Sequence, residues 1–102
     1  MKRRRLRRNI SNGISVISCT NRPLFIDKVF ENYLRQLYPF KELIIILNNN
    51  RMKLDEWEER GKYLSNIRIV QIDENVSLGE CYNFAIKLAR HNYIAKFDDD
   101  DY

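Results

Sequence analysis

"ELIIILNNN", residues 42–50, carries an unbroken apolar run from Leu43 to Leu47 and stops on three asparagines. A run so short and so uniformly apolar suits a strand covered on both faces, as in a parallel sheet. The flanking sequence agrees. "GISVISCT" (13–20) is rich in β-branched residues and too short for an ordinary helix, and "NIRIVQI" (66–72) and "YIAKF" (93–97) read the same way. Between these four segments lie three helical patterns. In "NRPLFIDKVFENYLRQLYPF" (21–40), Ile26, Val29, Phe30, Tyr33, Leu34 and Leu37 recur at three and four and predict one buried face, with Pro23 in the first turn and Pro39 marking the end.

The second helix, "KLDEWEERGKYL" (53–64), gathers Asp55, Glu56, Glu58 and Glu59 toward its positive end and has Gly61 as a stop. The third, "SLGECYNFAIKLARHN" (77–92), opens on a capping box of Ser77 and Glu80 and closes on Lys87, Arg90 and His91. The order β-α-β-α-β-α-β predicts an α/β fold. It is a mainly parallel, Rossmann-like three-layer sandwich with right-handed crossovers.

A chain of 102 residues fits one small domain or a piece of one. Its charge is unevenly spread. Six of the 18 cations fall within residues 2–8, so the remaining 12 face all 14 acids, a net of −2. The overall +4 therefore belongs to a basic, flexible arm over residues 1–12, and the body, residues 13–102, is not a nucleic-acid-binding surface by charge. No apolar stretch reaches the roughly 20 residues of a membrane span, and the N-terminal sequence has no signal-peptide core, so a cytoplasmic protein is expected. Cys19 and Cys81 have neither CxxC spacing nor paired histidines and read as small buried side chains.

Open α/β sheets bind ligands beyond the carboxyl ends of their strands. Here those ends carry Thr20, Asn21 and Arg22 after the first strand, Asn48 to Asn50 after the second, and four aspartates, Asp98 to Asp101, after the fourth. Adjacent carboxylates repel one another, and crowding four beside an apolar strand is costly unless a cation offsets the charge. Mg²⁺ and Mn²⁺ take such oxygen ligands, commonly together with substrate phosphates. In extended backbone Asp98 and Asp100 share a face, which makes a D-x-D pair able to hold a divalent ion on a diphosphate. The plain alternative is an acidic tail.

"ISVISCTNRP", "ELIIILNNN", "NVSLGECYNFAIKLA" and "YIAKFDDDDY" together resemble the N-terminal half of family-2 glycosyltransferases of GT-A fold, in the family's order and spacing, over about residues 13–102. The sequence looks like a bacterial member, with the spore-coat or spore-maturation type as one candidate. The resemblance implies a nucleotide-diphospho-sugar donor and a divalent metal, Mn²⁺ or Mg²⁺. Asp98 would contact the nucleotide and, with Asp100, the metal. Thr20 and Arg22 match the first loop against the nucleotide. Asn48 falls where the family often has an aspartate against uracil, and Gly79 and Asn83 match a glycine and an asparagine of the third helix, while Tyr82 replaces a frequent arginine.

Each of these has a plainer role as well. Thr20 or Asn21 as a helix cap, Arg22 as a solvated cation, Asn49 and Asn50 as turn residues, Gly79 as a close-packing site and Asn83 as a backbone partner stay open. Trp57 and the Tyr33/Tyr38 pair read as packing, and His91 as a cap.

The family's general base lies beyond the D-x-D, so no catalytic residue is expected in 13–102, a nucleotide-sugar-binding half-domain that binds donor weakly and transfers nothing alone. The acceptor, a glycan or a surface polymer, is unspecified, and the edge of the fourth strand invites self-association. Two other classes fit the same sequence. A non-catalytic nucleotide or metal-binding module would bind without turnover; a protein led by the basic arm would bind RNA or an anionic surface with steep salt dependence.

Overall fold

The computed structural model describes residues 13–36 and 40–97. The basic arm, the Leu37, Tyr38 and Pro39 positions, and Asp98 to Asp101 lie outside the described residues. The elements follow in the expected order: β1 (Ile14–Thr20), a 3-10 turn (Pro23–Phe25), α1 (Ile26–Arg35), β2 (Lys41–Leu47), α2 (Leu54–Gly61), β3 (Ile67–Gln71), α3 (Leu78–Leu88) and β4 (Tyr93–Lys96).

All four strands are parallel, in the order β3-β2-β1-β4. The alternation of side chains along β1 and β2 builds two cores. Val16, Leu43, Ile45 and Leu47 point to one face and meet Val29, Phe30 and Tyr33 of α1 and Trp57 of α2. Ile17, Cys19, Ile44 and Ile46 point to the other and meet Cys81, Tyr82 and Ala85 of α3. This explains why residues 43–47 show no polar alternation: both faces are covered, and Ile44, Ile45, Ile46 and Leu47 are fully buried. Trp57 lies 6.2 Å from Phe30 between ring centroids, in packing and not on a sugar platform.

The helix starts and stops are chemical. Ser77 and Glu80 form the capping box, with Glu80 N–H donating to Ser77 Oγ at 3.2 Å and Ser77 N–H to Glu80 Oε1 at 3.4 Å. Pro23 opens the 3-10 turn ahead of α1. At the far end of α1, Lys41 Nζ donates to the carbonyls of Tyr33 and Gln36 at 2.7 and 2.6 Å, placing a cation on the negative helix terminus. Burial pushes that ammonium below the usual lysine range.

Two details differ from the sequence reading. Leu34 is half exposed, because the buried arc of α1 turns toward Asn32 instead. Arg90 and His91 do not close α3, which ends at Leu88 with Lys87 in its last turn. Their backbone serves another purpose, at the amino ends of the strands. The Glu42 side chain, 3% exposed, accepts on Oε2 from Ser15 Oγ and from Arg90 N–H, both at 2.6 Å. Ser15 Oγ in turn accepts from His91 N–H at 3.2 Å. A buried carboxylate is tolerable only with such partners, and these partners tie β1, β2 and the α3–β4 turn into one unit.

That network predicts a measurable cost. Ser15→Ala leaves Glu42 and His91 N–H each short of a buried partner and should lower unfolding free energy by about 1–3 kcal/mol in urea titration. A loss below about 0.5 kcal/mol, the range of a neutral surface change, would show the network to be incidental.

Candidate functional site

The strand order reverses at β1. From β1 the chain moves to β2 and β3 on one side through α1 and α2, then crosses by α3 on the opposite face to β4 on the other side. The connections leaving β1 and β3 therefore run to opposite faces, and a reversal of strand order of this kind is the topological switch point where α/β sheets bind ligands. Phe97 N–H donates to Ile17 O at 2.9 Å, so the described chain ends alongside the part of β1 that leads to Thr20.

Thr20 is buried at the end of β1, and its Oγ1 accepts from Arg22 N–H at 3.2 Å, which makes a side-chain turn and not a helix cap. The Arg22 guanidinium lies 5.1 Å from the Phe25 ring centre. Next to this loop is a cavity of about 310 Å³ lined by Asn21, Asn48, Asn49, Arg51 and Glu74. It sits over the carboxyl ends of β1 and β2, continued by an Asn48 N–H to Thr20 O bond of 2.8 Å.

Asn48 is held from the side. Its Nδ2 donates to Asp73 O at 2.9 Å and to Val76 O at 3.4 Å, so it ties the end of β2 to the β3–α3 loop. Two carbonyls opposite that end of the amide fix its orientation: only the nitrogen can face them, and Oδ1 points away. An aspartate could not make these bonds. Asn49 is the turn residue the sequence suggested, with Oδ1 accepting from Arg51 N–H at 2.8 Å and Nδ2 donating to Asn21 O at 3.1 Å. Asn50 and Glu74 pair reciprocally: Asn50 N–H donates to Glu74 Oε1 and Glu74 N–H to Asn50 Oδ1, each at 3.2 Å. Gln71 Nε2 closes the frame on Asn49 O and Met52 O at 2.9 and 2.7 Å.

Of the other sequence candidates, Gly79 and Asn83 are exposed on α3, one turn apart and so on one face. A Cβ at Gly79 would meet nothing within 4 Å among the described residues, so close helix packing does not account for that glycine. The structure thus brings Thr20, Arg22 and Asn48 to one rim, with Gly79 in the first turn of the helix that follows the β3–α3 loop. Asp98 and Asp100 lie outside the described residues, and among the described residues no three His, Cys, Asp or Glu converge as a metal site. The cysteines are free and buried. Burial first, and then the neighbouring Cys81, pushes the Cys19 thiol up to about 12 against a partial opposing pull from Lys96; burial also raises Cys81. Thiolate chemistry is disfavoured at both.

Sequence reasoning missed Arg51, Asp73 and Glu74. The signal was available: once β3 neighbours β2 in parallel, polar residues directly after both strands must meet.

A profile of the family described as Glycosyl transferase family 2 matches residues 15–102. The chain belongs to that family. Among solved structures, one described as the crystal structure of S. aureus TarS 1-349 superposes with a TM-score of 0.76 at 21% identity, covering 88% of this chain and 28% of that one. That likeness shows the fold, and the chain spans little more than a quarter of the TarS chain. No curated protein sequence matches. No described helix is long and apolar enough to cross a membrane.

The anchoring role of Asn48 is open to a direct check. Asn48→Asp removes both donors and sets a carboxylate against two carbonyls, so it should destabilise the fold by about 1–3 kcal/mol and speed amide exchange across residues 73–77. Exchange rates equal to those of the parent chain would mean the loop is held by other groups.

Proposed function

We propose that the chain is the donor-binding part of a glycosyltransferase that uses a nucleotide-diphospho-sugar and transfers the sugar to an acceptor hydroxyl of a glycan or surface polymer. The family membership supports the reaction class, and one observation supports the location: the polar cavity at the carboxyl ends of β1 and β2, beside the switch point toward which β4 leads.

In this reading the base and ribose occupy the cavity, with Asn48 toward the base and Thr20 and Arg22 along the nucleotide. The diphosphate extends toward β4, after which Asp98 and Asp100 would hold Mn²⁺ or Mg²⁺. When bound, such an ion supplies Lewis-acid stabilisation of the negative charge that builds on the departing diphosphate. The chain's own residues orient the donor: Arg22 adds a fixed donor fork suited to phosphate oxygens, and the exposed Gly79–Asn83 face of α3 leaves room beside the sugar. No residue of 13–102 is assigned as general base.

The test is calorimetric titration of a nucleoside diphosphate into the full chain with and without Mn²⁺. Binding should tighten with the ion, and Asp98→Asn or Asp100→Asn should abolish that gain, a loss of at least about tenfold or about 1.4 kcal/mol. Equal affinity with and without Mn²⁺ in a folded sample would contradict the assignment of the two aspartates.

A further inference from the structure

Resting on the nucleotide reading above, we propose that Lys96, braced on the face of the Tyr82 ring, is the cation that grips the donor's diphosphate from the α3 side of β1.

Strand register places the lysine. Lys96 is the Cα partner of Ile17 and so shares its face of the sheet, the one covered by α3. Its side chain leans toward the carboxyl rim: the pairing sets it level with Ile17, yet its charge acts on Cys19, two residues farther along β1. The ammonium lies 4.3 Å from the centre of the Tyr82 ring, which is buried near the start of α3. A buried ring cannot move far, so it fixes the cation while using none of its N–H groups as conventional donors. Among the described residues no hydrogen bond or ion pair takes those N–H groups, and the lysine is exposed. A lysine on an edge strand can serve merely to block pairing with another chain. That role needs no fixed position, whereas this ammonium is drawn in over α3.

The span fits the ligand. Across the sheet, β2 and β4 stand two strand spacings apart, about 10 Å. A nucleoside diphosphate whose base occupies the cavity at the ends of β1 and β2 covers that distance with its ribose and phosphates, so its diphosphate passes the end of β1. There Arg22 stands on the α1 side, its guanidinium 5.1 Å from the Phe25 ring centre, and Lys96 stands on the α3 side. Two cations, each braced on an aromatic face, thus bracket one strand end. A compact ammonium with three donors suits the clustered oxygens of a diphosphate and offers little to a neutral base or sugar.

The test titrates GDP, UDP, dTDP, CDP and ADP, each with Mn²⁺, into the full chain and into Lys96→Met and Lys96→Arg variants whose folding is checked by their amide spectra. Methionine keeps most of the length and loses the charge; arginine keeps the charge. For a diphosphate that the parent chain binds, Lys96→Met should weaken affinity about tenfold or more, and Lys96→Arg should stay within about threefold of the parent. The ε-methylene signal of Lys96, identified by its disappearance in Lys96→Met, should move as the diphosphate saturates. Affinity unchanged in Lys96→Met, equal losses in both variants, or an ε-methylene signal unmoved at saturation overturns the role of Lys96 and leaves the nucleotide reading intact. No binding of any diphosphate to the folded parent chain overturns the nucleotide reading and this inference together.

Discussion

The parallel pairing of β1 with β2 on one side and β4 on the other is the constraint on which the remaining structure depends. Because β1 is flanked on both edges and covered on both faces, its side chains divide cleanly between two cores, and every residue from Ser15 to Thr20 is buried. Parallel pairing also forces all four strands to point the same way, so their carboxyl ends form one rim and their amino ends another. Chemistry that the sequence scatters over 80 residues is thereby collected in two places.

Both rims are held together by polar groups. At the amino end the buried Glu42 carboxylate takes both Ser15 Oγ and Arg90 N–H, and the network joins three segments of chain. At the carboxyl end, polar side chains hold the loops with only part of their capacity. Asn48 anchors the β3–α3 loop through its nitrogen and keeps its oxygen; Glu74 anchors Asn50 through one oxygen and keeps the other. The proposed ligand rim is therefore the one at which the strand ends of an α/β sheet open to ligands, not one marked out by unused polar groups.

Much of this architecture was legible in the sequence because its signals are local. The unalternating run of residues 43–47, the Ser77–Glu80 capping box and Pro23 ahead of a 3.6-period helix each depend on neighbours a few positions away. The strand ends followed from the same reading, which is why Thr20, Arg22 and Asn48 were placed on one rim. What escaped was set by pairings across the fold. Arg90 and His91 look like helix-closing cations, yet their backbone N–H groups go to Glu42 and Ser15, 48 and 76 positions away. Leu34 fits the helical period and is still half exposed, since the period does not say how wide the covering sheet is at that turn. Asn48, noted in the sequence only as standing where the family often has an aspartate, also donates to Asp73 O and Val76 O, bonds an aspartate could not make. The D-x-D reading of Asp98 and Asp100 concerns residues outside those described.

Amide shift mapping of the full chain at saturating GDP and Mn²⁺, repeated with UDP, tests the central claim most directly, namely that the ligand site is the carboxyl rim. The account predicts perturbations confined to residues 20–22, 48–51, 73–79, 82–83 and 96–101, with Ser15, Glu42 and Arg90 silent. Shifts centred on Ser15, Glu42 and Arg90 would contradict it, as would shifts spread over the outer faces of α1 and α2.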